Sequence, residues 1–218
     1  MPRLLWQPVR TLHMQPIPAS ARAADPRWTV AFLCLAEGLI MAGAKAKIVE
    51  RFTGLPSRRV KAMYKGLRGG RPPAGLVMQG SARFFAVSSK HTSEASRVQC
   101  SIFLACFECL GNITATPLNR GWRLLASFDS YLSVTEKLSA ATSVKHLDIN
   151  QAYALLAYCG SMTTPDGADI QRKRCDCCSI FYPVITERYA EPQKCPICAI
   201  DANCKRLSDL RRSSTRDD

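Results

Sequence analysis

Arg51-Phe52-Thr53-Gly54-Leu55-Pro56-Ser57-Arg58-Arg59-Val60-Lys61-Ala62-Met63-Tyr64-Lys65-Gly66-Leu67-Arg68 reads as the end of one helix, a sharp turn and a complete second helix. Gly54 supplies the turn conformation that needs no Cβ. Pro56 stops the first helix, and Ser57 has the chemistry to cap the second. Val60, Met63, Tyr64 and Leu67 fall at i, i+3, i+4 and i+7, one apolar stripe that faces inward. Arg58, Arg59, Lys61 and Lys65 then face outward, where a DNA groove would lie. With Lys45 to Phe52 as the preceding helix, the whole is a helix-turn-helix-like pair. An ordinary helix pair with a solvated basic face has the same spacing, so the pattern needs support from elsewhere.

Charge supplies some of that support. The 218-residue chain carries a net charge of +13 with 47% hydrophobic residues, a globular composition with a strong pull towards polyanions. The excess is uneven. From Arg51 to Ser93 there is no Asp or Glu, while Arg51, Arg58, Arg59, Lys61, Lys65, Arg68, Arg71, Arg83 and Lys90 all lie there. Gly70-Arg71-Pro72 resembles the core of an AT-hook in a single copy; an ordinary Pro/Gly connector is the simpler reading.

Upstream, Asp25-Pro26 opens a helix with an N-cap residue and a Pro at the first helical position. It runs through Val30, Phe32, Leu33, Leu35, Leu39 and Ile40 towards Ile48 and Val49. Gly38 and Gly43 either weaken it or mark close packing against another helix. Met1–Ala24 is basic but broken by Pro8, Pro16 and Pro18, and reads as a poorly ordered extension rather than a signal peptide. Downstream, Gly69 to Gly75 is a connector. Helices follow at Glu94–Leu110, Trp122–Leu138 and Asn150–Cys159, and Thr163-Thr164-Pro165-Asp166-Gly167 is a turn that closes the helical region.

Beyond that turn the chemistry changes. Cys175-Asp176-Cys177-Cys178 and Cys195-Pro196-Ile197-Cys198 form two C-x-x-C pairs separated by 16 residues, inside the window for a structural zinc site. Two residues between thiolates let one tight turn aim both sulfurs at one ion. Cys175, Cys178, Cys195 and Cys198 are the ligand set for one Zn²⁺ per chain, with Cys177 a bystander. Lys173, Arg174 and Lys194 offset the negative charge of the thiolates. Ile180-Phe181-Tyr182 and Val184-Ile185 favour short strands. Four thiolates leave no open metal position for a substrate, so the site is a scaffold.

The remaining cysteines argue against a secreted disulfide framework. The total of 11 is odd, and seven lie outside the two pairs of the module. Cys100, Cys106 and Cys109 read as small core hydrophobes on a helix. A reducing compartment, the cytoplasm, fits. No run of 18 apolar residues exists, so no membrane span is expected. His13, His91 and His146 are isolated, with no catalytic motif around them, and the chain reads as a non-enzyme.

The fold class is therefore mostly α: residues 25–165 form a helical DNA- and partner-binding domain with a helix-turn-helix-like N-terminal part. Residues 170–204 form a small four-cysteine zinc module, residues 1–24 an extension and residues 205–218 a basic tail. The string Leu67-Arg68-Gly69 … Pro72-Pro73-x-Gly75, with Leu35-Ala36, Leu39-Ile40, Gly43-Ala44, Leu55, Ser57, Arg59 and Tyr64-Lys65 before it and the cysteine module after it, resembles FlhC, the C subunit of the bacterial flagellar master transcriptional activator. The resemblance spans roughly Arg27 to Ala199. It implies a mostly helical subunit that assembles with a D subunit into a hetero-oligomer, binds double-stranded promoter DNA of flagellar operons and helps RNA polymerase start there. It also implies four zinc ligands at Cys175, Cys178, Cys195 and Cys198.

DNA contact is assigned to Arg58, Arg59, Lys61, Lys65, Arg68 and Arg71, and the partner surface to the apolar faces of Glu94–Leu110 and Trp122–Leu138. A zinc-stabilised RNA- or ribosome-associated protein fits charge and zinc equally well, but lacks an aromatic stacking platform. A zinc enzyme would need an open metal position.

Overall fold

The structure is a computed structural model that describes residues 26–74, 94–111, 116–139, 146–160, 170–185 and 194–200. The expected N-terminal extension, Asp25 cap, turn at Thr163–Gly167 and basic tail lie outside these residues. Among the described residues the chain is mostly helical. In order it forms α1 (Pro26–Met41), α2 (Ala46–Thr53), α3 (Ser57–Arg68), α4 (Glu94–Cys109), α5 (Pro117–Ser139), α6 (Ile149–Tyr158), β1 (Ile170–Arg174), β2 (Phe181–Ile185) and the short α7 (Pro196–Ile200).

The first expected helix is two. After Met41 the chain makes a Schellman-type C-cap: the Ala44 amide donates to the Leu39 carbonyl at 2.9 Å and the Gly43 amide to Ile40 at 3.0 Å. Gly43 takes φ +86°, a left-handed conformation that only glycine adopts at little cost, so it is a break rather than a soft spot in a continuous helix. Gly38 has the other role the sequence offered. A Cβ there would lie 2.5 Å from Leu125 Cδ2, and one at Gly121 would lie 2.7 Å from Leu35 Cδ2 and 2.9 Å from Phe52 Cβ. Two glycines thus let α5 close on α1 and α2.

The long α5 joins the molecule. It packs on α1, α2, α4 and α6. The core is continuous through Leu35, Leu39, Ile48, Phe52, Val60, Tyr64, Phe103, Leu124, Tyr131 and Leu155. α6 is buried along almost its whole length, and its first turn is held by an Asp148–Gln151 capping box. The Tyr131 hydroxyl donates to Gln99 Oε1 at 2.5 Å and accepts from the Leu147 amide at 2.9 Å, so this buried phenol is satisfied on both sides. Burial pushes its pKa up to about 12.

β1 and β2 pair antiparallel, with Ile170 opposite Ile185 and Arg174 opposite Phe181. β2 covers Phe181–Ile185 without interruption, and Pro183 stands opposite Arg172, which a two-stranded ribbon of edge strands tolerates. The hairpin is not detached from the helices: Ile170 is 1% exposed in the common core, and β2 and α7 pack on α4. The apolar faces of α4 and α5, expected to await a partner, are consumed here instead. Phe103 meets Tyr131 edge-on at 5.9 Å, and Arg123 lies 3.7 Å over the Phe107 ring.

Candidate nucleic-acid interface and metal centre

α2, the Gly54 turn and α3 form the expected helix pair. Gly54 adopts φ +65°, and its amide donates to the Glu50 carbonyl at 2.8 Å. Ser57 is the first helical residue rather than the cap, which is Pro56 and offers no side-chain hydrogen bond. Glu50 of α2 lies near the start of α3. Its carboxylate accepts from Lys47 Nζ at 3.0 Å, and hydrogen bonds from Lys47 and then Ser57, outweighing the effect of burial, hold its pKa below the ordinary range. A carboxylate at the positive end of α3 is also favourable.

Val60 and Tyr64 are fully buried, Met63 leans on the core, and Leu67 stays 38% exposed, so the inward stripe is narrower than its spacing suggested. Arg58, Arg59, Lys61 and Lys65 are all exposed. Arg58, Lys61 and Lys65 follow one another at i, i+3 and i+7, an exposed row beside the buried pair. Arg71 is exposed in the connector. Arg68 differs from the rest: its Nη1 donates to the Ile40 carbonyl at 3.2 Å, tying the end of α3 to the end of α1.

Sequence reasoning missed the residue that fixes this unit to the body. Asn150 of α6 is 5% exposed; its Oδ1 accepts from the Lys45 amide at 2.8 Å, and its Nδ2 donates to the Gly43 carbonyl at 3.1 Å. Both bonds span more than a hundred residues. Asp148 and Gln151 carry the signal for the helix start, but nothing in the string shows that Asn150 meets the Gly43 turn.

At the other end, Cys175, Cys178, Cys195 and Cys198 come together with their sulfurs all within 4.8 Å of one another. The pairs Cys175–Cys198 and Cys178–Cys195 lie at 3.5 and 3.7 Å. The edge of a tetrahedron with metal–sulfur bonds of ~2.3 Å is about 3.8 Å, so the cluster has the size of a four-thiolate centre and can hold a metal ion. Cys177 is outside the cluster.

Local backbone explains the convergence. The Ser179 amide donates to the Cys175 carbonyl at 2.9 Å and the Cys175 amide to Ile180 at 3.0 Å, closing a knuckle that puts Ser179 at φ +61°. The second pair straddles the start of α7. Burial raises the Cys175 thiol, but hydrogen bonds from the Cys178 and Cys177 amides and from neighbouring thiols outweigh it and bring the pKa down to about 7. Burial pushes Cys195 up to about 11. A bound cation would favour thiolate at all four.

Lys173, Arg174 and Lys194 are exposed beside the cluster, and Arg172 pairs with Glu108 of α4. β1, the strand that carries most of these residues, was missed because Gln171-Arg172-Lys173-Arg174 has no apolar alternation. Of the helical cysteines, Cys100 is buried as expected, and its burial pushes its thiol up, whereas Cys109 is exposed. None of the ten described cysteines is in a disulfide. Among the described residues no helix is long and apolar enough to cross a membrane.

These features define a mostly helical protein with a basic helix-turn-helix-like unit and a cluster of four cysteines that can hold a metal ion. The particular family follows from comparison. Residues 30–211 match the family model described as flagellar transcriptional activator (FlhC), and the chain belongs to that family. It is similar to proteins named flagellar transcriptional regulator FlhC from three bacteria. Identity to that of Erwinia tasmaniensis is 27% over 165 residues, covering 75% of this chain and 83% of the relative. Identity to that of Enterobacter cloacae is 28% over 177 residues, covering 81% and 83%. Identity to that of Cupriavidus pinatubonensis is 28% over 183 residues, covering 84% and 76%. The family is one of transcriptional regulators of the flagellum.

Proposed function

We propose that this chain is the DNA-binding subunit of a flagellar transcriptional activator, gripping promoter DNA with α3 and holding one structural zinc ion with Cys175, Cys178, Cys195 and Cys198. The observation that carries the reading is the exposed row Arg58, Lys61 and Lys65 beside buried Val60 and Tyr64, on the second helix of a Gly54-turned pair. Arg59 flanks the row and Arg71 extends it into the connector. Arg68 contributes charge from a side chain already anchored on Ile40. The acid-free surroundings make phosphate the natural ligand, and residues near the start of α3 are those that would reach base edges.

Zinc is the metal of choice for four thiolates in this spacing, and a reducing cytoplasm suits both the site and the unpaired thiols. No catalytic role is proposed. The D-subunit partner and RNA polymerase rest on the resemblance, since the apolar faces of α4 and α5 are used inside the chain. The division into a helical domain over residues 25–165 and a zinc module over residues 170–204 is retained as a functional one.

The test is a mobility shift of the chain co-expressed with a D subunit on a flagellar promoter fragment and on an unrelated duplex of equal length. Preferential, salt-sensitive retention of the promoter fragment is the expected result. Equal retention of structured RNA and both duplexes would favour the RNA-associated alternative.

A further inference from the structure

Arg97, on the first half of α4, is 7% exposed, an unusual place for a guanidinium. Its Nη2 donates to the backbone carbonyl of Lys194 at 2.9 Å, 97 positions away. Lys194 immediately precedes Cys195, the most buried of the four gathered cysteines at 6% exposed. Behind the first knuckle, Tyr182 of β2 is 4% exposed. Burial is the main cause that raises the pKa of its hydroxyl; Cys195, Cys175 and Asp176 add to it and Arg97 opposes them. Arg97 thus meets the backbone next to Cys195 where α4 packs against β2 and α7.

Resting on the reading that the quartet holds zinc, we propose that Arg97 is the positioning residue of the metal centre. Its hydrogen bond fixes the backbone that presents Cys195, and its charge offsets the net negative charge of an ion bound by four thiolates. Two physical points make this more than a packing interaction. A four-thiolate centre concentrates negative charge at the protein interior, and a buried cation nearby lowers the cost of keeping it there. Groups that orient ligands without touching the metal commonly change its affinity by about 10–100-fold.

A second arginine packed against α4 provides a control. Arg123 of α5 also donates to a backbone carbonyl of α4, through Nη2 to Phe107 at 2.8 Å and Nε at 3.2 Å. Its target is the last turn of α4 itself, not the backbone that carries a cysteine of the cluster.

The experiment uses the full chain with its zinc. Metal content is measured first, and wild-type protein without zinc overturns both the metal reading and this inference. With one zinc per chain present, its transfer to pyridylazoresorcinol is timed for wild type, Arg97→Gln, Arg97→Lys and Arg123→Gln. Arg97→Gln should release zinc about 10–100-fold faster. Arg97→Lys, which restores the charge, should recover most of the wild-type rate. Arg123→Gln should lower thermal stability and leave the release rate unchanged.

A wild-type rate in Arg97→Gln, or equal acceleration in Arg123→Gln, overturns the assignment. Should Arg97→Gln not fold, hydrogen exchange on wild type answers the question. Removing zinc should strip amide protection from α4 around residue 97 while α1 to α3 keep theirs. Unchanged protection there contradicts the inference.

Discussion

The two ends of this molecule are held together by different physics. At the α1–α3 end, geometry comes from packing and glycine: Gly43 breaks the chain, Gly38 and Gly121 let α5 close in, and Asn150 and Arg68 tie the turn carbonyls and amides. At the α4–hairpin end, two five-residue strands and a five-residue helix bury only a few side chains such as Ile170 and Tyr182, and four sulfurs gather beside them. One end would survive the loss of any single polar group with modest damage; the other would depend on one ion. The lesson is that a basic face is only as well aimed as the helices beneath it, whereas a metal module is only as stable as its ligand set.

The contrast predicts its own largest effect. Cys195→Ser, or removal of metal by chelator, should unfold the hairpin and α7 but leave α1 to α3 folded, because metal binding in such modules contributes on the order of 10–16 kcal/mol and no comparable core replaces it. Amide exchange read separately for the two ends checks this. Uniform loss of protection would mean that the ends are one cooperative unit.

At the packed end, Gly121→Val should cost about 1–3 kcal/mol, since its first carbon already collides with Leu35 and Phe52. The denaturant midpoint reads it, and a neutral result would show that α5 can retreat. Asn150→Ala should cost about 1–3 kcal/mol by leaving the Gly43 carbonyl and Lys45 amide without their partner. It should also weaken DNA retention without changing the number of phosphates held.

Smallest is a pH effect at Glu50. Its pKa is held below the ordinary Glu value of ~4.3, so the stability it adds is present above that pH and lost as pH falls through the lower folded value. Glu50→Gln should flatten the acid limb of the stability curve slightly. An acid limb identical to wild type would mean that Glu50 has no part in holding the start of α3.

Much of this was legible in the string. The Gly54 turn and its two helices stand where the spacing put them, and the four cysteines named from doubled C-x-x-C pairs are the four that converge. Local rules suffice there, because a left-handed glycine and a two-residue thiol gap are set by backbone geometry alone. The unread parts are those decided by distant partners. Gly43 looks the same in sequence whether it softens a helix or ends one, and the choice depends on Asn150 and Arg68. Arg97, in the middle of a helix, resembles any surface arginine until the hairpin folds over it. The apolar faces of α4 and α5 looked available for a partner only because the hairpin and α6 that cover them could not be placed from periodicity.

The central claim is that α3 presents its basic row to DNA. Binding of the assembled complex to a flagellar promoter fragment, measured across a range of salt concentrations, tests it most directly. Each phosphate neutralised adds about −0.9 to the slope of log K against log salt. The triple variant Arg58→Ala, Arg59→Ala, Lys65→Ala should therefore flatten that slope by roughly one unit for each phosphate it no longer neutralises, and relax sequence preference if any of the three reads a guanine edge. A triple variant with the wild-type slope and preference would contradict the claim and shift the DNA surface to Lys173, Arg174 and Lys194 beside the cysteine cluster.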